Sequence, residues 1–166
     1  MAIEHDYFGL LETGPDGSIF WSSEVDFGDQ RVVVDLTAPD QEDVSAHALD
    51  VAASMILALE GIDLQARNAM VSELDDRTSE VTEYILQAQE RHGEEITDFL
   101  TELTGDVHID VIQSMQLVSM TILADELGGS DPFAVLEYCL DLDDTDAVLL
   151  VNLHSDGSVQ SVTSAD

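Results

Sequence analysis

Residues 117–164 have the sequence LVSMTILADELGGSDPFAVLEYCLDLDDTDAVLLVNLHSDGSVQSVTS, and this stretch decides the fold class. It contains four apolar or β-branched runs of strand length, separated by segments rich in Gly, Asp and Ser at 128–132, 143–146 and 155–157. The Asp156-Gly157 pair in the last of these segments is typical of a β-hairpin turn. We therefore predict an antiparallel meander at the C-terminal end.

The first forty residues also have the character of strands. The apolar segment 7–12 is followed by the turn GPDG at 14–17 and then by SIFWSSEVDF at 18–27, which is rich in aromatic and β-branched residues. A second turn leads into RVVVDL at 31–36. The three runs predict a three-stranded meander.

Between the two meanders, apolar residues recur at the three- and four-residue spacing of helices. A capping hydroxyl, a proline and following acids at 37–43 predict a helix start, and Gly61 predicts its end. We expect a second helical segment at 64–92 with a break near Asp75 and Asp76. A short helix at 94–103 and a turn or helix at 107–115 complete the prediction.

This order of strands, helices and strands predicts a single α+β domain over residues 1–166. Its antiparallel sheet is built from the N-terminal and C-terminal meanders, and the central helical segment packs on one face. The 166 residues are 45% apolar, which is enough for a core and argues against a disordered acidic chain.

The charge of the chain limits its partners. It has 36 Asp plus Glu against four Arg and no Lys, a formal net charge of -32. Such a surface repels phosphates and anionic lipids, so we expect no nucleic-acid or membrane-surface binding. Two interpretations stay open: solubility in a salty or acid-biased proteome, or a surface that neutralises a basic protein partner. In either case self-repulsion predicts that salt and mild acid stabilise the fold.

The single cysteine, Cys139, allows no intrachain disulfide and is expected to be a small buried residue. This usage is compatible with a reducing compartment, and we predict a cytoplasmic location. The first residues lack the positive start and the long apolar run of a secretory signal. The sequence leaves the oligomeric state open.

The order of segments resembles that of the DUF2004 family, a group of small bacterial proteins without an assigned activity. The resemblance lies in the opening Tyr7-Phe8-Gly9, in the strand from Trp21 through EVDFGDQRVVVDL, in the acidic helical middle and in the closing hairpin VLLVNLHSDGSVQSV. It extends over nearly the whole chain. It implies a single-domain α+β fold and no catalytic residue.

No linear motif predicts catalysis, a cofactor or a metal site. The sequence lacks the nucleophile elbow, the phosphate-binding loops and the zinc-ligand spacings. A zinc site at His108 and Asp110, on the assumption that they share a strand face, is a weaker alternative to isolated histidines. The acidic run at 141–146 differs from a calcium loop at its sixth and twelfth positions, so it is better interpreted as a turn between strands.

Two classes of function remain. The first is a non-enzymatic interaction protein, such as an immunity-type neutralising module for a basic partner. The second is an enzyme or small-molecule-binding domain whose site has no linear motif, and a buried acid paired with a histidine in a cleft would favour it. Alternation places Phe20 and Trp21 on opposite faces of their strand, and Trp21 is our candidate interaction residue. The candidate acidic interaction residues are Asp141, Asp143, Asp144 and Asp146.

Overall fold

The computed structural model describes residues 2–28, 30–101, 103–127, 131–140 and 148–165. The strands within these ranges are β1 (Ala2–His5), β2 (Gly9–Glu12), β3 (Ile19–Phe27), β4 (Gln30–Ala38), β5 (Gln116–Leu123), β6 (Ala134–Cys139), β7 (Val148–Leu153) and β8 (Val159–Ala165). The α-helices are α1 (Ala46–Leu57), α2 (Leu59–Ser72), α3 (Glu80–His92) and α4 (Val107–Ser114). Short 3-10 segments occupy Gln41–Asp43, Glu73–Asp75 and Gly93–Phe99.

The main sheet has six strands in the order β3-β4-β5-β6-β7-β8. Neighbouring strands are antiparallel except β4 and β5, which are parallel with Val34 opposite Met120. All four α-helices lie between β4 and β5 in the chain, and a crossover of this length allows the chain to re-enter the sheet in the parallel direction. The β3–β4 pair and the C-terminal meander β5–β8 are therefore joined side by side, and the α+β fold class is confirmed.

The pairing predicted for the first strand is wrong. β2 pairs with β1 in a separate two-stranded sheet, in which Ala2 lies opposite Glu12. Next to this small sheet, Thr13 and Ile19 form an isolated antiparallel pair that connects it to β3. The turn at 14–17 lies between these two residues in the chain. The sequence shows that residues 9–12 can form a strand, but the choice of neighbour depends on tertiary packing.

The first helix begins later than predicted. Thr37 and Ala38 complete β4, where they pair with β3, and Asp40 caps the 3-10 segment that follows. Ser45 is the N-cap of α1, because its hydroxyl accepts a hydrogen bond from the backbone N–H of Ala48. Strand pairing on both sides of β4 outweighs the local capping pattern at 37–40.

Two other helix boundaries differ from the prediction. Gly61 does not end a helix: it lies in the first turn of α2, and the change of direction occurs at Ala58. The segment predicted as a helix at 94–103 is the shorter 3-10 segment Gly93–Phe99. The predicted break near residues 75 and 76 is confirmed, because α2 ends at Ser72 and α3 begins at Glu80. The helix expected within 107–115 is α4.

The core lies between the helices and one face of the sheet. Val32, Val34 and Leu36 of β4 are fully buried, as are Ala52 of α1 and Ile85 of α3. We call the other face of the sheet the open face. It consists of the alternate side chains Phe20, Ser22, Glu24, Asp26, Arg31, Val33, Asp35, Thr37, Ser119, Thr121, Leu123, Val135, Glu137, Leu150, Asn152, Ser161 and Thr163, all exposed or half-buried.

Candidate functional site

An open cavity of about 480 Å³ lies between α1, α2 and the turn at 155–157, and we call it the α1–α2 groove. Helix α1 contributes a stripe of side chains at the three- and four-residue spacing of one helix face, which includes His47, Asp50, Val51 and Ser54. Gly157 has a φ of 86° and lies so close to α2 that a Cβ there would be 3.7 Å from Cγ1 of Ile62. The hairpin turn thus forms one wall of the groove.

The turn also presents an anion to the groove. Oδ1 of Asp156 accepts hydrogen bonds from the backbone N–H of Ser158, at 2.9 Å, and from the Ser158 hydroxyl. These hydrogen bonds hold the pKa of Asp156 below its usual value, and the bond from the hydroxyl has the larger effect. The side chain is exposed, so its charge is available at the surface of the groove.

A histidine and an aspartate form a pair at the edge of this groove. Nε2 of His5 in β1 lies 2.8 Å from Oδ1 of Asp50 in α1, and Nδ1 of His5 accepts the backbone N–H of Tyr7 at 3.1 Å. Because Nδ1 is the acceptor, we assign the ring proton to Nε2, which donates to Asp50. The histidine side chain is 11% exposed and the aspartate 70%. The pair therefore joins β1 to α1, and it lacks the buried acid that we expected in an enzyme.

A second polar cluster lies in the interior and was not predicted from the sequence. Nε of Arg67 donates to both oxygens of Asp63, at 3.0 and 3.1 Å, and the Tyr138 hydroxyl donates to Asp63 Oδ1 at 2.6 Å. Burial, the charge of Asp63 and this hydrogen bond raise the pKa of Tyr138 far above its usual value. The tyrosine is fully buried, so the cluster joins α2 to β6 within the fold. Its one sequence signal is the four-residue spacing of Asp63 and Arg67.

Trp21 is half-buried and packs on an aromatic cluster on the helical side of β3. Its ring is edge-on to Phe8, with 4.8 Å between centroids, and 6.3 Å from Tyr7. On the open face, the neighbouring Phe20 is 65% exposed. The two side chains thus lie on opposite faces of β3, as alternation predicts. The other candidate interaction residues, Asp141, Asp143, Asp144 and Asp146, lie outside the described residues.

The zinc alternative at His108 and Asp110 is wrong, because the two residues lie in α4 and not on a strand. Asp110 is buried, and it accepts hydrogen bonds from the backbone N–H and the hydroxyl of Thr104. Its carboxylate therefore fixes the loop before α4. Within the described ranges, no group of three or more His, Cys, Asp or Glu side chains is placed to hold a metal ion. Cys139 is fully buried, as predicted.

No family model, curated protein or solved structure matches the chain. In the part of the chain that the structure describes, no helix has the length and apolar character needed to cross a membrane.

Proposed function

We propose that this protein is a non-enzymatic interaction module that binds a basic protein partner, as an immunity-type neutralising protein would. The observation on which the proposal depends is the combination of a net charge of -32 with a sheet face whose described side chains are exposed or half-buried. A surface of this charge accelerates the approach of a basic protein, and a large sheet face offers the area for a specific complex.

The open face has the composition of an interface for a cationic partner. Its described carboxylates are Glu24, Asp26, Asp35 and Glu137, against the single cation Arg31. Arg31 is 3.4 Å from Glu24 and 3.5 Å from Asp26, and these side chains are solvent-exposed, so the ion pairs are weak and open to exchange. Four acids against one arginine leave a net charge of -3 on this face.

Apolar side chains accompany these acids. Phe20 is 65% exposed and Val33 is 37% exposed, and both belong to the open face. Protein interfaces combine such apolar contacts with polar groups at their edges, and an exposed aromatic ring is a frequent centre of binding energy. Phe20 is therefore a stronger candidate anchor than Trp21, whose ring already packs on Phe8. Trp21 supports the strand that presents it.

Partner capture tests the proposal. The immobilised protein is exposed to lysate of its source cells at low and at high salt, and a captured basic protein is then purified and measured for stoichiometry and association rate. We expect a stoichiometric complex whose association slows steeply as salt rises, because screening shortens the reach of the charges. Capture of salt-eluted proteins without defined stoichiometry would leave the charge as a device for solubility.

Two variants of equal charge locate the interface. The triple variant Glu24→Gln, Asp35→Asn, Glu137→Gln neutralises the open face, and Glu90→Gln, Glu94→Gln, Asp98→Asn neutralises three exposed acids on the helical side. Both lower the long-range attraction equally. We expect the open-face variant to weaken the complex about tenfold more than its control, since several interfacial charge contacts are lost together. Equal losses would contradict binding through the open face.

We make two further proposals, one on location and one on family. The single cysteine supports a cytoplasmic location. Membership of the DUF2004 family is likewise a proposal, supported by the order of the segments quoted above.

A further inference from the structure

We propose that the α1–α2 groove is a binding site for an organic cation that has an ammonium group on an apolar body. This site is separate from the open face, and the inference does not depend on the partner proposed above. It is based on the apolar floor of the groove, the acidic groups at its rim and the volume between them.

The floor of the groove is apolar. Met55 and Ile62 are buried, and Val51 is half-buried. A cavity of about 480 Å³ is within the range of sites for small organic ligands, which lie at roughly 300–1,000 Å³. An apolar body of the size of a phenylalkyl group therefore fits the space and removes this floor from water.

The rim selects the charge of the ligand. Asp50 and Asp156 line the same cavity from opposite elements, α1 and the β7–β8 turn, and both side chains are exposed. The other polar side chains at the rim include His47, Ser54 and Gln65, which can donate or accept hydrogen bonds. No lysine or arginine lines the groove among the described residues. The rim thus repels carboxylates and attracts ammonium groups.

Hydrogen bonds orient the carboxylates of both aspartates at the rim. Asp156 keeps its charge to low pH because the Ser158 hydroxyl and N–H hydrogen bonds lower its pKa. Oδ1 of Asp50 lies 2.8 Å from Nε2 of His5, and this contact orients the carboxylate. Both carboxylates are therefore fixed in place before a ligand arrives, which lowers the entropy cost of binding.

The test uses 4-phenylbutylamine as the probe, with 4-phenylbutanol and 4-phenylbutyrate as its neutral and anionic analogues. Titrations at physiological ionic strength are followed by calorimetry and by amide chemical shifts in the full chain. We expect saturable binding of the amine with shifts at α1, α2 and residues 155–157, about fivefold tighter than the alcohol, and no binding of the carboxylate. Absence of saturable binding, or equal affinity for amine and alcohol, would overturn the proposal.

The chain contains a matched control for the role of Asp156. Asp16 lies in the related sequence PDGS, and its Oδ1 accepts from Ser18 N–H at 3.1 Å and from the Ser18 hydroxyl at 2.6 Å, yet it does not line the groove. Asp156→Asn and Asp16→Asn each remove one charge and keep an oxygen acceptor for the turn. We expect Asp156→Asn to weaken the amine about two- to fivefold, and Asp16→Asn to leave it unchanged. Equal weakening by both would indicate general attraction of cations and overturn a site in the groove.

Two more variants complete the test. Asp50→Asn keeps an acceptor for His5 and is expected to weaken the amine by the same factor of about two to five. Ser54→Leu adds a larger side chain at an exposed helical position of the groove, so it should abolish binding while the far-UV spectrum and thermal midpoint stay unchanged. Retained amine affinity in both variants would contradict the proposal. A variant that no longer binds the amine but still binds the basic partner would show that the groove and the open face are separate sites.

Discussion

Substitution of Arg67 by methionine removes the cation of the interior cluster and keeps most of the length of the side chain. Arg67 and Asp63 are 12% and 13% exposed, and their closest atoms are 3.0 Å apart. The guanidinium also donates from Nη1 to the backbone oxygens of Ile112, at 2.8 Å, and Gln113, at 3.3 Å. One side chain therefore joins α2 to the end of α4 and balances a buried carboxylate.

The expected loss of stability in Arg67→Met follows from the burial of this ion pair. Removal of one member of a buried ion pair costs about 3–5 kcal/mol, because the remaining charge has lost its partner and is not returned to water. The Tyr138 hydroxyl still donates to Asp63, which favours the lower part of this range. We expect the free energy of unfolding to fall by about 3 kcal/mol, a large fraction of the 5–15 kcal/mol typical of domains. Tyr138→Phe, which leaves the ion pair in place, should cost about 2 kcal/mol.

Urea unfolding followed by far-UV circular dichroism measures both changes, in about 1 M salt so that surface repulsion is screened. The double variant Asp63→Asn, Arg67→Met removes both charges, and we expect it to be more stable than Arg67→Met alone. A loss below about 1 kcal/mol in Arg67→Met, or a double variant no more stable than the single one, would refute the argument that a buried unpaired charge sets the cost.

Two other predictions concern charge. The thermal midpoint should rise steadily as NaCl increases from about 0.1 to 1 M, because the screening length falls from about 10 to 3 Å, and a flat profile would contradict self-repulsion. Glu73→Gln should stabilise the protein at neutral pH by about 0.5 kcal/mol. Burial and the carboxylates of Glu80 and Asp76 raise the pKa of Glu73, whose Oε2 has no hydrogen-bond partner within the described ranges. A raised pKa gives stability that is present below the unfolded value near pH 4.3 and is lost as pH rises, so urea midpoints of the two proteins should converge near pH 4 and separate above it. If the urea midpoints of the two proteins differed equally near pH 4 and at neutral pH, the effect would come from packing and not from the charge of Glu73.

The sequence predicted which segments are strands and helices wherever their periodicity is strong. β5 to β8 lie where the apolar runs of 117–164 place them, and α3 begins after the predicted break. The predicted element boundaries were wrong where a local sequence pattern competed with tertiary contacts. Residues 37 and 38 belong to β4, which pairs with β3 and β5, although their local pattern is that of a helix cap. The residues of β2 do not by themselves indicate which strand it pairs with.

The candidate sites were less accessible to sequence analysis than the fold. The spacing of His47, Asp50, Val51 and Ser54 shows that they share one face of α1, but the turn that closes the groove is about one hundred residues away in the chain. The pair of His5 and Asp50 and that of Asp63 and Tyr138 also join distant segments. A residue's neighbours at such separations depend on how the sheet is assembled.

The sequence by itself determined the charge, the alternation of strands and helices and the chemistry of the turns, because each depends on residue type and on neighbours within a few positions. The tertiary structure alone decided the parallel joint between β4 and β5, the separate β1–β2 hairpin, the open face and the groove. These features depend on which surfaces exclude water from one another, and burial is a property of the whole folded chain.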